Sequence, residues 1–241
     1  MKEIIEQVPN ATNSSRWDTL SQEVPFQEPD STESHEASPN FTIERLSPQD
    51  DLGQVADALY LVDQYIFPDL FDDPEKAKIL SPALFTNDPN ALFSYDKTLV
   101  AKDTDGSIAG ILVYRDHNCT PWDTDAVRSR FIATGLELPE HFERANENYM
   151  KKVTDAELPE GAVEIEFVGV RDAYRGKGLG TQLIQSLLTT PEYTEAHLDV
   201  LDSHPEARNL YNKLGFQPAG DKFPNYPDGS EGVQHMILQK D

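Results

Sequence analysis

The chain has 241 residues, 38% of them hydrophobic, and carries 43 acidic against 20 basic side chains, giving a formal net charge of -23. This length and composition suffice for one full core and exclude disorder throughout. The negative charge repels phosphate backbones and anionic membrane surfaces, so neither nucleic acid nor a membrane is expected as a partner. The charge favours an amine over an acidic molecule as substrate, although an acidic surface also serves solubility alone.

Cysteine content and apolar runs indicate the compartment. Cys119 is the only cysteine, which excludes an internal disulfide and a cysteine-rich metal site and fits a reducing environment. A nucleophilic role for its thiol is a less favoured alternative. The start MKEIIEQVPNATNSS lacks an apolar stretch of signal-peptide length, and no later run is long enough to cross a membrane. The sequence therefore predicts a cytoplasmic protein.

The first part of the chain differs in composition from the rest. Residues 1–40 are rich in Glu, Ser, Pro, Asn and Gln. Such a segment buries too little apolar surface to offset the entropy of ordering, so it is predicted to be an acidic, mostly disordered arm. Residues 41–241 are predicted to form the folded domain.

The first half of the domain alternates between strand and helix patterns. FTIERL is predicted to be a strand, and SPQDDLGQVADALYLVDQYI a helix with Ser47 as its cap and Pro48 at its first position. A second helical stretch follows from about Pro74 to Phe85. TLVAKDTDGSIAGILVYRD predicts a hairpin, because Asp-Gly tolerates the backbone angles of a tight turn. Residues 117–160 carry two weakly helical pieces and are predicted to be an insertion over one end of the sheet.

The last third has the clearest alternation. Strands are predicted over about 162–170 and 195–201 and near VQHMILQ, and helices over about 178–189 and 204–214. The second of these helices is marked by Ser203 and Glu206 at capping-box spacing and by Gly215 as a left-handed stop. This order predicts an α/β sheet with helices on its faces.

A glycine-rich segment, RGKGLG at residues 175–180, joins the predicted strand VEIEFVGV to the helix TQLIQSLL. Strand, glycine turn and helix in that order gather unpaired N–H groups and the positive end of a helix dipole, which predicts an anion site. A Walker loop requires Ser or Thr directly after its lysine, and Gly178 follows Lys177. A dinucleotide fingerprint requires a third glycine where Thr181 stands.

The pattern that fits is R-x-x-G-x-G, formed by Arg175, Gly178 and Gly180. Glycines that merely permit a tight turn are the alternative, although one turn does not need three. VGVRDAYRGKGLGTQLIQSLL resembles the coenzyme A pyrophosphate motif of the GNAT superfamily of N-acetyltransferases. LDVLDSHPEARNLYNKLGF resembles the strand and helix that follow it in that family. The resemblance is sharp over about residues 162–218.

The resemblance implies the acyl-CoA N-acyltransferase fold, an α/β (α+β) fold with a mixed, mostly antiparallel central sheet of about six to seven strands and helices on both faces. It also implies direct transfer of an acetyl group from acetyl-CoA to an amine in a ternary complex. The main chain of Val168, Gly169 and Val170 is expected to pair with the pantetheine arm, and Gly169 within a strand also signals a bulge or a close approach. The amides expected around the pyrophosphate are those of Arg175, Gly176, Lys177, Gly178, Leu179, Gly180 and Thr181.

The catalytic residues are expected from the same resemblance. Tyr211 stands where the family places the tyrosine that protonates the thiolate, and packing of its ring in the core is the alternative. Glu164 and Glu166 lie near the position where a glutamate acts as base in resembling enzymes, and Glu166 is favoured because it is nearer the expected bulge. A solvent-facing pair is the alternative for these glutamates.

One residue departs from the family pattern. Many members have asparagine seven residues before the tyrosine, bonded to the cofactor arm, and His204 stands there. Imidazole still offers one hydrogen bond, so His204 is kept as a cofactor contact, with a role at the helix start as the alternative. The remaining histidines, among them His197 and His235, show no metal-ligand spacing, and no metal is predicted.

The expected acceptor is an amine on a small molecule or on a protein, and the expected state is a monomer or homodimer. The alternative function is an inactive CoA-binding or regulatory module that engages a basic partner through the acidic arm.

Overall fold

The computed structural model describes residues 41–63, 65–224 and 232–240. The predicted arm over residues 1–40 lies outside the described residues. Within the described ranges, no helix has the length and apolar character needed to cross a membrane.

One mixed sheet forms the centre of the fold, with strands in the order β1-β2-β3-β4-β5-β8-β6 and β7 also paired to β8. β4 and β5 are parallel, and the other neighbouring strands are antiparallel. This confirms the predicted fold class; β6 and β7, of two residues each, bring the six or seven expected strands to eight. The strands are β1 Thr42–Arg45, β2 Thr98–Lys102, β3 Ile108–Asp116, β4 Ala162–Val170, β5 Glu195–Leu201, β6 Gln217–Pro218, β7 Phe223–Pro224 and β8 Gly232–Gln239.

Helices cover both faces of the sheet, as predicted. A π-helical turn at Asn146–Met150 joins α5 to α6, and short 3-10 turns lie at Ser81–Ala83, Tyr95–Lys97 and Asp172–Tyr174. The helices are α1 Leu52–Tyr60, α2 Ile66–Phe71, α3 Pro74–Leu80, α4 Thr124–Ala133, α5 Phe142–Ala145, α6 Lys151–Asp155, α7 Leu179–Leu188 and α8 Pro205–Lys213.

The two faces have separate cores. On one face, α1 to α6 pack against β2, β3 and β4, and on the other, α7 and α8 pack against β3, β4, β5 and β8. The helices from the stretch 117–160 belong to the first core, where Phe131 lies 6.2 Å from Phe71 and 5.6 Å from Phe142 between ring centroids. These ring contacts join the helices of this stretch to α2 and to each other, and its placement over one end of the sheet stays a prediction.

One predicted helix start and one predicted helix cap are wrong. α1 begins at Leu52, after Asp51, whose carboxylate accepts from Gly53 N and Gln54 N. Ser47 and Pro48 lie in a preceding turn, because Asp50 accepts from Ser47 N and is held at 2.5 Å by Lys102 from β2. This long-range ion pair fixes the turn, and local capping signals do not contain it.

α8 begins at Pro205 with His204 as its N-cap residue, so Ser203 lies one position too early to cap the helix. The end of α8 is as predicted, since Gly215 has φ 95° after the last turn. The hairpin is also confirmed: Asp103 N donates to Ser107 O, and Gly106 has φ 85° between β2 and β3.

Candidate active site

The parallel strands β4 and β5 separate partway along their length. They pair from Ala162 to Ile165 on β4 and from Glu195 to Leu198 on β5. Beyond these residues β4 continues to Val170 against β3, and β5 continues to Leu201 against β8. A gap therefore opens between the two strands, with the edge of β4 as one wall.

The gap begins at a β-bulge. Val113 pairs with Phe167 and Tyr114 with Ile165, so Glu166 is the extra residue on β4. The bulge changes which face the following side chains reach, since Ile165 belongs to the core of α7 and α8 and Phe167 to the core of α1 to α6. The sequence signalled a bulge or a close approach at Gly169; the bulge lies three residues earlier.

Gly169 is a close-approach position. A Cβ built there would lie 2.3 Å from Ala58 O on α1, so only glycine lets this helix pack on β4. Arg171 N donates to Ala109 O on β3 at 3.0 Å. By strand alternation the main-chain groups of Gly169 also face β3, whereas those of Val168 and Val170 face the gap. Among the described residues, Val168 therefore offers a free edge on this wall, whereas Val170 offers only its N–H, because its carbonyl accepts from Arg175 Nε at 3.3 Å.

The glycine loop lies at the end of the same strand. Gly176 and Gly178 have φ of 75° and 74°, and α7 starts at Leu179 without a side-chain cap. Among the described residues, none accepts a hydrogen bond from the N–H groups of residues 176 to 181. Unpaired amides at a helix N-terminus have the geometry that anion binding requires, and the anion site itself stays a prediction.

Two cations flank the amides. Arg175 Nε donates to Val170 O at 3.3 Å and lies 3.2 Å from Asp172 Oδ1, and Lys177 Nζ lies 5.1 Å from the ring centroid of Tyr174. Both side chains are exposed, while Leu179 anchors the loop in the core. The loop is thus fixed at its base and open to solvent at its amides.

Glu164 and Glu166 converge on a buried arginine from β3. Arg115 is 2% exposed, and its guanidinium donates to Glu164 Oε2, to Glu166 Oε1 at 2.6 Å and to Ala156 O at 2.8 Å. Glu164 is 3% exposed, and the Glu166 side chain is 10% exposed. The solvent-facing alternative for this pair is therefore wrong.

The protonation of Glu166 is set by its surroundings. Burial raises the pKa of Glu166 well above its usual value, the negative charge of Glu164 raises it further, and Arg115 opposes both effects. Burial also raises the pKa of the nearby Cys119 thiol to about 11. A thiol with such a pKa is protonated at neutral pH, which disfavours the nucleophilic alternative for Cys119.

Glu164 also adjoins polar side chains from β5 and β8. Its carboxylate, Asp199 and His235 place ligand-type atoms within 4.8 Å of one another, and His235 Nε2 lies 3.1 Å from His197 Nδ1. His197 and His235 meet because β5 and β8 are adjacent, which their sequence spacing does not reveal. Arg115 already supplies a positive charge beside Glu164, so the group is accounted for as a hydrogen-bonded network. The absence of a metal stays a prediction.

Tyr211 lies on α8 and packs against the second core. Its ring centroid is 6.1 Å from that of Phe216, and burial raises its pKa to about 12. The helix lies close to the loop, since a Cβ built at Gly180 would be 3.6 Å from Leu210, the neighbour of Tyr211. Core packing of Tyr211 is confirmed, and its role as an acid stays a prediction.

His204 precedes α8, and its N–H donates to Leu201 O at 3.1 Å. Its imidazole makes no capping bond to α8. Its contact to the cofactor stays a prediction.

Sequence reasoning missed Arg115. The residues that precede Arg115 on β3 have the pattern of an ordinary apolar strand. No motif near residue 115 indicates a partner 49 positions away. The one signal in the sequence was an arginine at the end of an otherwise apolar strand. A guanidinium that is buried with such a strand requires a carboxylate partner.

Comparison with known proteins agrees with this geometry. The model of the Acetyltransferase (GNAT) family matches residues 64–216. YfmK of Bacillus subtilis, named an uncharacterized N-acetyltransferase, is 32% identical over 115 residues, which are 43% of this chain and 76% of YfmK. The 5-NmdU N-acetyltransferase of Pseudomonas phage PaMx11 is 36% identical over 67 residues, which are 28% of this chain and 44% of the phage protein.

The fold also matches solved structures. A crystal structure described as an acetyltransferase superimposes with a TM-score of 0.57 at 21% identity, covering 83% of this chain and all of the other. At that identity the likeness concerns the fold alone.

Proposed function

The chain belongs to the GNAT family of acetyltransferases, and from this premise we propose that it transfers the acetyl group of acetyl-CoA directly to an amine in a ternary complex. The continuity of the gap and the loop carries the proposal. The free edge of β4 leads from the bulge at Glu166 into the row of unpaired amides at residues 176 to 181.

Acetyl-CoA fits this arrangement in shape and charge. Its arm carries amide groups that match a free strand edge, and its pyrophosphate matches a helix N-terminus. Val168 and Val170 would hold the arm, the amides of residues 176 to 181 would hold the pyrophosphate, and Arg175 and Lys177 would add positive charge. When bound there, it supplies the acetyl group as a thioester.

The glutamates of β4 would handle the proton of the acceptor. An amine attacks a carbonyl only in its neutral form, so a base has to remove a proton from the ammonium. Glu166 lies in the bulge where the gap opens, and its raised pKa suits a base that works near neutral pH. Arg115 would be a positioning residue that keeps this carboxylate oriented and offsets part of the effect of burial.

Tyr211 would return a proton to the departing sulfur. Its pKa of about 12 keeps the phenol protonated at neutral pH, so a proton is available to the thiolate. The amine loses two protons in all, one as it becomes neutral and one after it has attacked the carbonyl. Glu166 would take the first and pass it to solvent, and the second would restore Tyr211 after it has protonated the thiolate, so that one proton is released overall.

The acceptor that this chain favours is a cationic amine, on a small molecule or on a protein. The name of the phage relative specifies a modified nucleoside for that protein. The net charge of -23 disfavours a polyphosphate-bearing acceptor for this chain. A cytoplasmic location, where acetyl-CoA is available, is part of the proposal.

A thiol-release screen tests the proposed function. Purified protein with acetyl-CoA is offered a panel of polyamines, amino sugars, and peptides with a free N-terminus or lysine, and products are checked by mass. We expect release of CoA that depends on one amine class and adds one acetyl group. No acetylated product across the panel from a protein that binds acetyl-CoA would favour an inactive binding module.

A further inference from the structure

We propose that the cavity between the segment 84–93 and α4 binds a small carboxylate ligand through Arg130. The cavity has a volume of about 170 Å³. Leu84, Leu92, Phe93 and Trp122 form apolar walls, and Arg130 lines it as a cation. None of the lining residues belongs to β4, α7 or α8, so this site is separate from the glycine loop.

Arg130 differs from the other arginines of the described ranges in its lack of an acidic partner. The described ranges contain eight arginines, and seven of them have a carboxylate oxygen within 4.0 Å. Arg130 has none among the described residues, and its Nε is buried without a hydrogen-bond partner there. Because none of the described carboxylates reaches this guanidinium, a ligand carboxylate is the partner that we propose for it.

The partial burial of Arg130 has an energetic cost that a ligand would offset. Burial lowers the pKa of Arg130, and the negative charge of Asp123 opposes this effect only in part. A desolvated guanidinium without a partner destabilises a fold, so its presence in a cavity wall favours a binding role.

The two carboxylates at this cavity are already engaged. Asp123 Oδ1 accepts from Ala126 N at 2.9 Å as the cap of α4, and Asp88 Oδ1 accepts from Asn90 N at 2.9 Å. Neither lies within ion-pair distance of Arg130 in the described chain. Both stabilise local turns, so neither is free to move onto the guanidinium without loss of those bonds.

Size and charge define the ligand class. A cavity of about 150 Å³ accommodates a benzene ring, so this one holds a ring or branched alkyl group of that size. One guanidinium matches one carboxylate in a two-pronged hydrogen bond. The negative charges of Asp88 and Asp123 at the same cavity disfavour a phosphate dianion.

Calorimetry with simple carboxylates tests the proposal on the full chain. Benzoate and 3-methylbutanoate are titrated into the millimolar range, with benzamide as the uncharged match for benzoate and inorganic phosphate as a separate arm. We expect at least one carboxylate to bind, benzamide to bind at least tenfold more weakly than benzoate, and phosphate not to compete.

Three substitutions at two positions of α4 test the role of Arg130. Arg130→Gln should weaken carboxylate binding at least tenfold. Arg130→Lys keeps the positive charge but cannot donate two parallel hydrogen bonds to one carboxylate, so its affinity should be intermediate. Arg128→Gln, which removes a partly exposed arginine paired with Glu143, should bind carboxylates as tightly as the unmodified protein does. Absence of binding by both carboxylates, equal binding to Arg130→Gln, or preference for phosphate would overturn the proposal.

Discussion

The glycine loop and the Arg115 cluster are built in opposite ways. The loop is formed by residues 175–181, which are consecutive in the chain; Arg175 and Lys177 are exposed, and the amides of residues 176 to 181 are unpaired among the described residues, whereas that of Arg175 donates to Asp172 O. The cluster joins Arg115 on β3 to Glu164 and Glu166 on β4, is buried, and has its charges paired. Binding of a large anion needs open donors, whereas control of a proton needs a desolvated and oriented carboxylate. This difference underlies our proposal that the loop binds the cofactor and that the cluster transfers the proton.

The largest expected effect is on stability and concerns the cluster alone. Arg115→Met leaves two buried carboxylates without their cation, and breaking a buried pair in this way costs about 3–5 kcal/mol. We expect the free energy of unfolding, from denaturant titration, to fall by about that amount. Arg175→Met, which removes an exposed cation of the loop, should change it by less than about 1 kcal/mol. Equal losses of unfolding free energy in the two variants would contradict the contrast between a buried, paired cluster and an exposed loop.

Glu166→Gln separates chemistry from binding. Loss of a general base lowers kcat by about 10²–10⁴-fold. The dissociation constant of acetyl-CoA should stay unchanged, because the unpaired amides lie in the loop. Single-turnover rates with an acceptor from the screen, together with calorimetry, check both halves. An unchanged rate in this variant would show that Glu166 is not the base, and Glu164 would be the next residue to substitute.

Tyr211→Phe tests the acid. Removal of the hydroxyl should lower kcat by about 10²-fold while the ring remains packed on Phe216. Tyr193→Phe is the matched control, since burial raises the pKa of that tyrosine as well and its ring packs against the second core, with its centroid 6.1 Å from that of Tyr114. An unchanged rate in Tyr211→Phe would leave this residue with core packing alone.

The smallest effect is a displacement of the pH profile. A base acts when unprotonated, so the rate rises as the pH passes upward through the pKa of Glu166. Because the charge of Glu164 raises that pKa, Glu164→Gln should lower it and move the rising limb to lower pH. Glu143→Gln, at an exposed pair with Arg128, should leave the limb in place. A shift of the rising limb to higher pH in Glu164→Gln would contradict the proposed effect of Glu164 on the pKa of Glu166.

The same contrast explains what the sequence could predict. α7, its glycine start and β4 were predictable because local periodicity and turn chemistry determine them. The hairpin at Gly106 and the stop at Gly215 were predictable for the same reason. The site residues that are consecutive in the chain could therefore be predicted from local sequence patterns together with the family resemblance.

The rest depends on contacts between distant segments. The pairing of Arg115 with Glu164 requires the register of β3 against β4, and the bulge at Glu166 is a property of that pairing. The start of α1 at Leu52 depends in part on Lys102, which holds Asp50 from β2. Tertiary contacts of this kind leave no periodic signal within one segment.

Acetyl-CoA binding by calorimetry tests the central claim most directly, because it needs no knowledge of the acceptor. We expect one molecule of acetyl-CoA or CoA to bind per chain. Gly178→Ala forces an alanine into a left-handed backbone, at a cost of about 1–2 kcal/mol, and should weaken this binding about tenfold. Gly106→Ala carries the same strain in the hairpin turn and should bind normally. No detectable binding of either molecule to the unmodified protein would contradict the account.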